Sequence, residues 1–280
     1  MDLSRYLARI GISHRPAATP EGVAAVQSAH RSAIGFENFD VMLGRPIRID
    51  GPAVFAKLVE RGRGGYCFEH NRLFSDALAQ LGVANRPLLA RVWLGQAEDA
   101  VPPRTHTCLL ARLDGMPWLA DAGFGGSDLA PLPLRDGAER RTADGARHRL
   151  RRIGERGSLR GEWLLERAGP AAATDGRAAG HGDWQAQYSF DLGEVAPGDL
   201  EQASHWTSTR PETRFTTLHV ASIPLPGGFA SMVDRELTVH GGGTTQRRTI
   251  ADAADYARTL REVFRIALAE EEVRSLPLFR

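Results

Sequence analysis

One stretch narrows most what this 280-residue chain can fold into: Arg61-Gly-Arg-Gly-Gly-Tyr-Cys67-Phe-Glu-His-Asn71. Three glycines within five residues make a loop that needs unusual backbone angles or very close approach. The sequence then changes character. Phe74, Ala77, Leu78 and Leu81 fall at i, i+3, i+4 and i+7, one face of a helix, and Gly82 ends it. Cys67 therefore stands where a tight loop enters a helix. Unpaired backbone N–H groups and the positive dipole end lie there, and both favour a thiolate. A free cysteine is more often a small buried apolar residue, so partners must decide whether Cys67 is a nucleophile.

The length allows one large domain or two to three small ones. A formal net charge of +1 gives no reason to expect a nucleic-acid or membrane partner. The basic residues are almost all arginine, with Lys57 the sole lysine, a bias of the kind a GC-rich coding sequence produces. Two cysteines, Cys67 and Cys108, suit a reducing compartment, although one disulfide stays open. The start, Met-Asp-Leu-Ser-Arg-Tyr, lacks the parts of a signal peptide, and no run approaches the ~18 apolar residues of a membrane span. A cytoplasmic location is expected, and no metal.

Residues 1–83 read mainly as helix. Thr19-Pro20 is an N-cap followed by proline at the first helical position, opening a helix to about Ile34. A further helix starts near Pro52, with Asp50 close to its cap. Between them, Gly35-Phe-Glu-Asn-Phe-Asp40 is too short and mixed to be an element. Residues 84–190 read as short strands: Pro87–Leu94, Thr105–Leu113, Pro117–Ala122, His148–Ile153, Glu162–Arg167 and Trp184–Phe190. Gly, Pro and Asp punctuate them, which suggests a barrel or sandwich. Residues 169–183 form a Gly/Ala-rich loop. Residues 191–280 are mixed. A helix near Asp199–His205 precedes strands near Phe215–Ile223, Phe229–Met232, Glu236–Val239 and Gln246–Ile250. Gly241-Gly-Gly243 fits the turn of a hairpin, and a helix from about Asp252 carries Leu260, Phe264 and Leu268 on its apolar side.

A nucleophilic cysteine needs a base, and the base an orienting group. His70 is nearest in sequence, at i+3, but a base fixed that close on the same helix rarely points its ring at the thiol. His106 is better placed. It lies in Thr105–Leu113, which alternates like a strand and runs into Asp114-Gly115, a strong hairpin signal. If those two residues form the turn, Leu113 faces Met116 and Cys108 faces Asp121. His106 and Asp121 then share one face as a diagonal pair. A carboxylate inside Trp118-Leu-Ala-Asp-Ala-Gly-Phe also needs a partner, whether this histidine or an arginine. Cysteine on a helix and histidine on a sheet is the logic of thiol acyl-transfer enzymes, so the chain would hold a papain-like Cys-His-Asp core of Cys67, His106 and Asp121.

With these residues in view, the sequence resembles the arylamine N-acetyltransferase family. The matching pieces are Phe36-Glu-Asn-Phe-Asp40, Arg63-Gly-Gly-Tyr-Cys67-Phe-Glu69, Arg104-Thr-His106, Asp121-Ala-Gly-Phe-Gly125 and Thr209-Arg-Pro-Glu-Thr-Arg-Phe215. They keep the family's order and spacing over most of the chain. The resemblance implies an α+β fold: an N-terminal helical bundle (1–83) carrying the nucleophile, a central β-barrel (84–190) carrying His and Asp, and a C-terminal α/β lid (191–280). It implies acetyl-CoA as co-substrate with no permanently bound cofactor. A small aromatic amine or hydrazine would be the acceptor, and a cysteine thioester the intermediate. Phe36, Tyr66, Phe68, Thr105 and Phe124 would meet the acceptor. Thr105, Gly125, Gly126, Thr207 and Thr209 would meet the acetyl-CoA. The chain departs from the family's usual residues at Gly35 (usually proline), Phe39 (usually leucine) and His70 (usually apolar or an amide). An amide synthase of the same family, or a thiol hydrolase or transglutaminase-like enzyme with the same three residues, is the alternative.

Overall fold

Helices α1 (Leu3–Arg9) and α2 (Pro20–Ala33) open the chain of a computed structural model that describes residues 1–97, 99–178 and 184–280. The capping signals act as read: Thr19 accepts from the Gly22 N–H at 3.2 Å, and Pro20 is the first helical residue. Strand β1 (Phe36–Glu37) and the single turn α3 (Phe39–Met42) follow. Asp50 caps α4 (Gly51–Phe55), accepting from the Ala53 N–H at 3.0 Å, and that helix widens into a π turn over Ala56–Glu60. Helix α5 (Cys67–Leu81) ends at Gly82, whose φ of 91° is the left-handed stop its type permits. Tyr6, Val26, Leu58, Phe74 and Leu78 form a core that continues onto Leu109, Leu113 and Ala120 of the neighbouring sheet.

That sheet comprises β2 (Asn85–Val92), β3 (His106–Leu113), β4 (Met116–Ala120), β5 (Leu132–Pro133), β6 (Glu139–Arg141), β7 (Arg147–Arg152), β8 (Trp163–Ala168) and β9 (Gln185–Phe190). Among the described residues the order is β5-β4-β3-β2-β9-β8-β7-β6, a nearly closed, barrel-like sheet around Leu88, Leu119, Leu150, Leu165 and Tyr188. The β3–β4 hairpin has the expected register. Asp114 (φ 49°) and Gly115 (φ 76°) form its turn, Leu113 faces Met116 and Leu109 faces Ala120.

Helix α6 (Pro197–Thr209) and the turn α7 (Arg214–Thr217) lead to a second sheet. Its remaining strands are β10 (Val220–Leu225), β11 (Gly228–Val233), β12 (Glu236–Gly241) and β13 (Thr244–Thr249), in the order β1-β10-β11-β12-β13. Helices α8 (Ala253–Glu262) and α9 (Glu270–Arg274) close a core of Ile223, Met232, Tyr256, Leu260 and Phe264 with it. The fold is α+β.

Three expectations need correction. Phe36–Glu37, read as no element, is an edge strand: Phe36 pairs with Ser222 and Glu37 with Ala221, a long-range partner that no local pattern announces. Phe215–Thr217, read as strand, is helical, and β10 starts only at Val220. Asn38 enforces the turn: its Nδ2 donates to the carbonyls of Phe215 and Leu218, both at 2.8 Å, while its Oδ1 accepts from the Val220 N–H. Helix α8 ends at Glu262 and the chain bends at Arg265 (φ 60°), so Leu268, read as part of that helix, reaches the core from a loop. Of the loop over residues 169–183, Ala171–Ala173 form a 3-10 turn and Thr174 bridges to Ser127; residues 179–183 lie outside the described residues.

Beneath the glycine loop lies a buried ionic network. Lys57 Nζ meets Asp40 Oδ2 at 2.7 Å and Glu69 Oε1 at 2.8 Å, and Arg63 Nη2 meets Glu37 Oε1 and Asp40 Oδ1, each at 3.0 Å. Burial raises the pKa of Asp40, but Lys57 and Arg63 outweigh it and hold the group at about 2. The free carboxylate oxygens reach backbone: Glu69 Oε2 accepts from the Tyr66 N–H (3.1 Å) and Glu37 Oε2 from the Phe39 N–H (2.7 Å). Removing one partner from such a network strands the others without solvent. Lys57→Met should therefore destabilise the chain by about 3 kcal/mol or more, read as a lowered urea midpoint. Lys57→Arg should recover part of the loss, and an unchanged midpoint for Lys57→Met would show the network to be dispensable.

Candidate active site

Cys67 is the first residue of α5, delivered by a loop that is laced to β1. The Glu37 N–H donates to the Gly65 carbonyl (2.8 Å) and the Gly65 N–H to that of Gly35 (3.4 Å). A Cβ on Gly64 would collide with the Gly35 carbonyl oxygen, so only glycine allows this approach. From the other side comes the segment after β4. A Cβ on Gly123 would lie 2.8 Å from the Cys67 carbonyl oxygen and 2.9 Å from its Cα. The thiol is 3.6 Å from the Thr105 carbonyl oxygen.

His106 opens β3, and its Nε2 is 2.7 Å from Asp121 Oδ2. Asp121 is fully buried and every lone-pair direction is used. Oδ2 also accepts from the Tyr188 hydroxyl (2.9 Å), while Oδ1 accepts from Asn71 Nδ2 (2.9 Å) and the Gly123 N–H (2.8 Å). Burial alone would raise the carboxyl pKa; the charge and hydrogen bond of His106, with Asn71 and Arg31, turn the shift downward. An ionised carboxylate only accepts, so His106 Nε2 must carry the proton. In the neutral ring Nδ1 is then the acceptor. The thiol of Cys67 behaves otherwise than the helix start alone suggests. Burial pushes its pKa up and the Asp121 charge adds to this, against hydrogen bonds from the Thr107 and Phe68 backbone.

Cys67 and His106 share the wall of a cavity of about 350 Å³. Phe36, Phe124, Phe215, Val92 and Leu94 make it largely apolar, and Arg177, Glu212 and Arg214 give it charge.

A family model described as N-acetyltransferase matches residues 21–273. The arylamine N-acetyltransferase of Escherichia coli K12 is 34% identical over 265 residues, covering 94% of this chain and 88% of that protein. The chain belongs to the arylamine N-acetyltransferase family. The arylamine N-acetyltransferase of Mycolicibacterium smegmatis is likewise 34% identical, over 96% of this chain and 94% of its own. Among solved structures, that of the Salmonella typhimurium arylamine N-acetyltransferase superposes with a TM-score of 0.87 at 31% identity, covering 98% of this chain and 97% of that one. The Mycobacterium marinum arylamine N-acetyltransferase in complex with CoA gives 0.85 at 33% identity, with 99% of each chain covered.

Not every residue expected at the site of this arylamine N-acetyltransferase family member lies on the cavity. Phe36, Thr105, Phe124, Gly125 and Thr207 line it. Tyr66 is buried behind, its hydroxyl donating to the Ser204 carbonyl at 3.1 Å. Phe68 faces a separate cavity with Leu109 and Leu200. Gly126 packs under the Phe124 ring and Leu94. Thr209 borders a third cavity with Arg45 and Ile47, its hydroxyl donating to the His205 carbonyl at 2.7 Å. The sequence reading missed Asn71 and Tyr188 as supports of Asp121. Asn71, four residues after Cys67 on one helical face, offered a signal; Tyr188 reaches the site only because β9 pairs with β2, which periodicity does not reveal.

His70 is turned away from the thiol. Its Nε2 is 3.2 Å from the Gly35 carbonyl oxygen and its Nδ1 2.9 Å from His30 Nε2; His30 Nδ1 is 2.9 Å from the Tyr6 hydroxyl. A carbonyl only accepts, so the direction of the whole row is fixed: Tyr6 donates to His30, His30 to His70, and His70 to Gly35. Both rings are neutral. Burial depresses His30 well below the usual histidine range and His70 to about 3, and burial with Arg167 nearby does the same to His148, to about 3. The unfolded rings take up protons near 6.5, while folded His70 and His148 refuse them until about pH 3. Between those values the unfolded state binds more protons, so stability falls as pH falls, by about 1.4 kcal/mol per pH unit for each ring. Melting temperature should therefore drop steadily from pH 7 to pH 5, with a shallower slope in His70→Gln. A flat profile would contradict the buried neutral assignment.

Proposed function

We propose that this chain transfers acetyl groups from acetyl-CoA to aromatic amines or hydrazines in two half-reactions, with Cys67 as nucleophile, His106 as base and Asp121 as its orienting carboxylate. The observation that carries the reading is the His106 Nε2–Asp121 Oδ2 contact of 2.7 Å beside a thiol on the same cavity. It leaves Nδ1 as the one ring nitrogen able to take the thiol proton. Family membership along nearly the whole chain supports the acyl transfer, and the CoA complex of the Mycobacterium marinum relative supports the donor.

The steps balance as follows. His106 Nδ1 takes the proton of Cys67, and the thiolate attacks the thioester carbonyl carbon of acetyl-CoA. The carbon–sulfur bond to CoA breaks, CoA leaves as a thiol with the proton returned by His106, and an S-acetyl cysteine remains. The amine nitrogen then attacks that carbonyl, His106 takes a proton from the nitrogen, and the Cys67 sulfur leaves and is reprotonated. The imidazolium formed in each half-reaction is stabilised by Asp121. Thr105, Gly125 and Thr207 are assigned to the donor, and Phe36 and Phe124 to the ring of the acceptor. The three-part organisation of bundle (1–83), barrel (84–190) and lid (191–280) around a papain-like core goes with this reading, as does a cytoplasmic location, to which two free thiols are suited.

Intact-mass measurement tests the chemistry. Wild-type protein mixed with acetyl-CoA alone should gain one acetyl group on Cys67, and an arylamine should remove it. Cys67→Ala should gain none. His106→Ala should acylate at least about a hundredfold more slowly, whereas His70→Ala should acylate at close to the wild-type rate. Acetylation of the Cys67→Ala protein, or the reverse order of the two histidines, would overturn the assignment. Tyr188→Phe, which removes one of four donors to Asp121, should slow acylation by a smaller factor, on the order of tenfold.

A further inference from the structure

One cation on the cavity wall has most of its hydrogen-bonding capacity unspent. Arg214 opens α7 and lines the cavity beside Phe215. A guanidinium offers five N–H donors. Among the described residues, the polar partner of Arg214 is Asp175 alone, from Nη2 to Oδ2 at 3.5 Å. That oxygen is already taken, because Arg177 approaches it with Nε and Nη2, both at 2.7 Å. The charge of Asp175 is thus largely matched by Arg177, and Arg214 keeps only the longer contact to it. The Arg214 side chain is 22% exposed, at the wall of the cavity that it lines. Burial works against the charged form and Arg177 adds to this, with Asp175 and the more remote Asp234 opposing. The other carboxylate on this cavity, Glu212, is exposed and makes no ion pair with Arg214 among the described residues. The position is also fixed. Asn38 holds the carbonyls of Phe215 and Leu218, so the turn that carries Arg214 cannot drift.

Building on the assignment of this cavity to acyl transfer, we propose that Arg214 binds the carboxylate of the acceptor, so that the enzyme prefers aromatic amines bearing an anionic group. Arg214 stands with Phe36, Phe215 and Gly125 at the end of the cavity that borders β10, while Gln96, Pro102 and Pro103 stand elsewhere on its lining. An aromatic ring between the phenylalanines can turn its amine toward Cys67 and its carboxylate toward the guanidinium. A planar carboxylate accepts two parallel N–H bonds from arginine, a fit that a neutral ester or amide cannot match. A phosphate of the CoA donor would satisfy the same N–H groups, so the experiment separates the two.

The acyl-enzyme is prepared with p-nitrophenyl acetate, which has no phosphate, and checked by mass. It is then discharged with 4-aminobenzoate or with its methyl ester. Arg214→Gln should slow discharge by the acid roughly tenfold or more relative to its effect on the ester, the amount a charge-assisted hydrogen bond supplies. Comparing the two ratios cancels the different nucleophilicity of the two amines. Arg214→Lys, which keeps the charge beside Asp175 but not the planar fork, should fall between, and carries the test if the glutamine variant does not fold. In the wild type, benzoate should inhibit discharge more strongly than benzamide. An unchanged acid-to-ester ratio in the variants, or equal inhibition by benzoate and benzamide, overturns the proposal. A raised KM for acetyl-CoA with an unchanged ratio also overturns it and gives the guanidinium to the donor. Failure of the wild-type cysteine to acylate is a different result and refutes the proposed function instead.

Discussion

The buried carboxylate of Asp121 is the point at which the parts of this molecule meet. A carboxylate without water is tolerable only when its oxygens are saturated with donors. The four donors come from four places in the chain: helix α5 through Asn71, strand β3 through His106, strand β9 through Tyr188 and its own loop through the Gly123 N–H. Helix α5 and the barrel-like sheet cannot separate without exposing that charge or breaking these bonds. The side chain bonded to the histidine is thus also the bond between layers. Asn71 deepens the link, because its Nδ2 also donates to the Thr107 carbonyl and its Oδ1 accepts from the Ala122 N–H.

The loop and helix start that carry Cys67 are held by a second charge system, independent of the first. Glu69 reaches from the first turn of α5 to the Tyr66 N–H while its other oxygen binds Lys57. Glu37 and Asp40, two and five residues after Gly35, complete the set with Arg63. The motifs around Phe36 and Cys67 therefore read as two halves of one structure. One supplies acidic residues and the other the loop, its arginine and the glutamate of the helix start.

How far the sequence is legible follows from the range of each interaction. The His106–Asp121 pair was legible because a two-residue turn fixes the register of everything on both sides of it, and Asp114-Gly115 names that turn. The helix caps at Thr19 and Asp50 are equally local. The signals fail where a partner lies more than a hundred residues away. Phe36–Glu37 is a strand because β10 is there to pair with it, and Phe215–Thr217 is a helical turn because Asn38 pins it. Tyr188 and Arg214 owe their places to strand order and to a side-chain cluster, which spacing does not encode. At Cys67 the sequence shows only the local field: the start of a helix favours negative sulfur, while burial, which pushes the thiol pKa up, is a property of the whole fold.

Lys57 has a consequence beyond stability. It is the sole lysine of the chain, and it lies inside, occupied by two carboxylates. The described surface therefore presents no ε-amine at all. A protein whose chemistry depends on an activated acetyl group offers that group no lysine on its own exterior to be wasted on. Amine-directed reagents such as succinimidyl esters will for the same reason find no lysine there to label, and fixing the protein to a support through lysine coupling will be inefficient while it stays folded. Arginine carries the surface positive charge instead, with a guanidinium that stays protonated and does not accept acyl groups under these conditions.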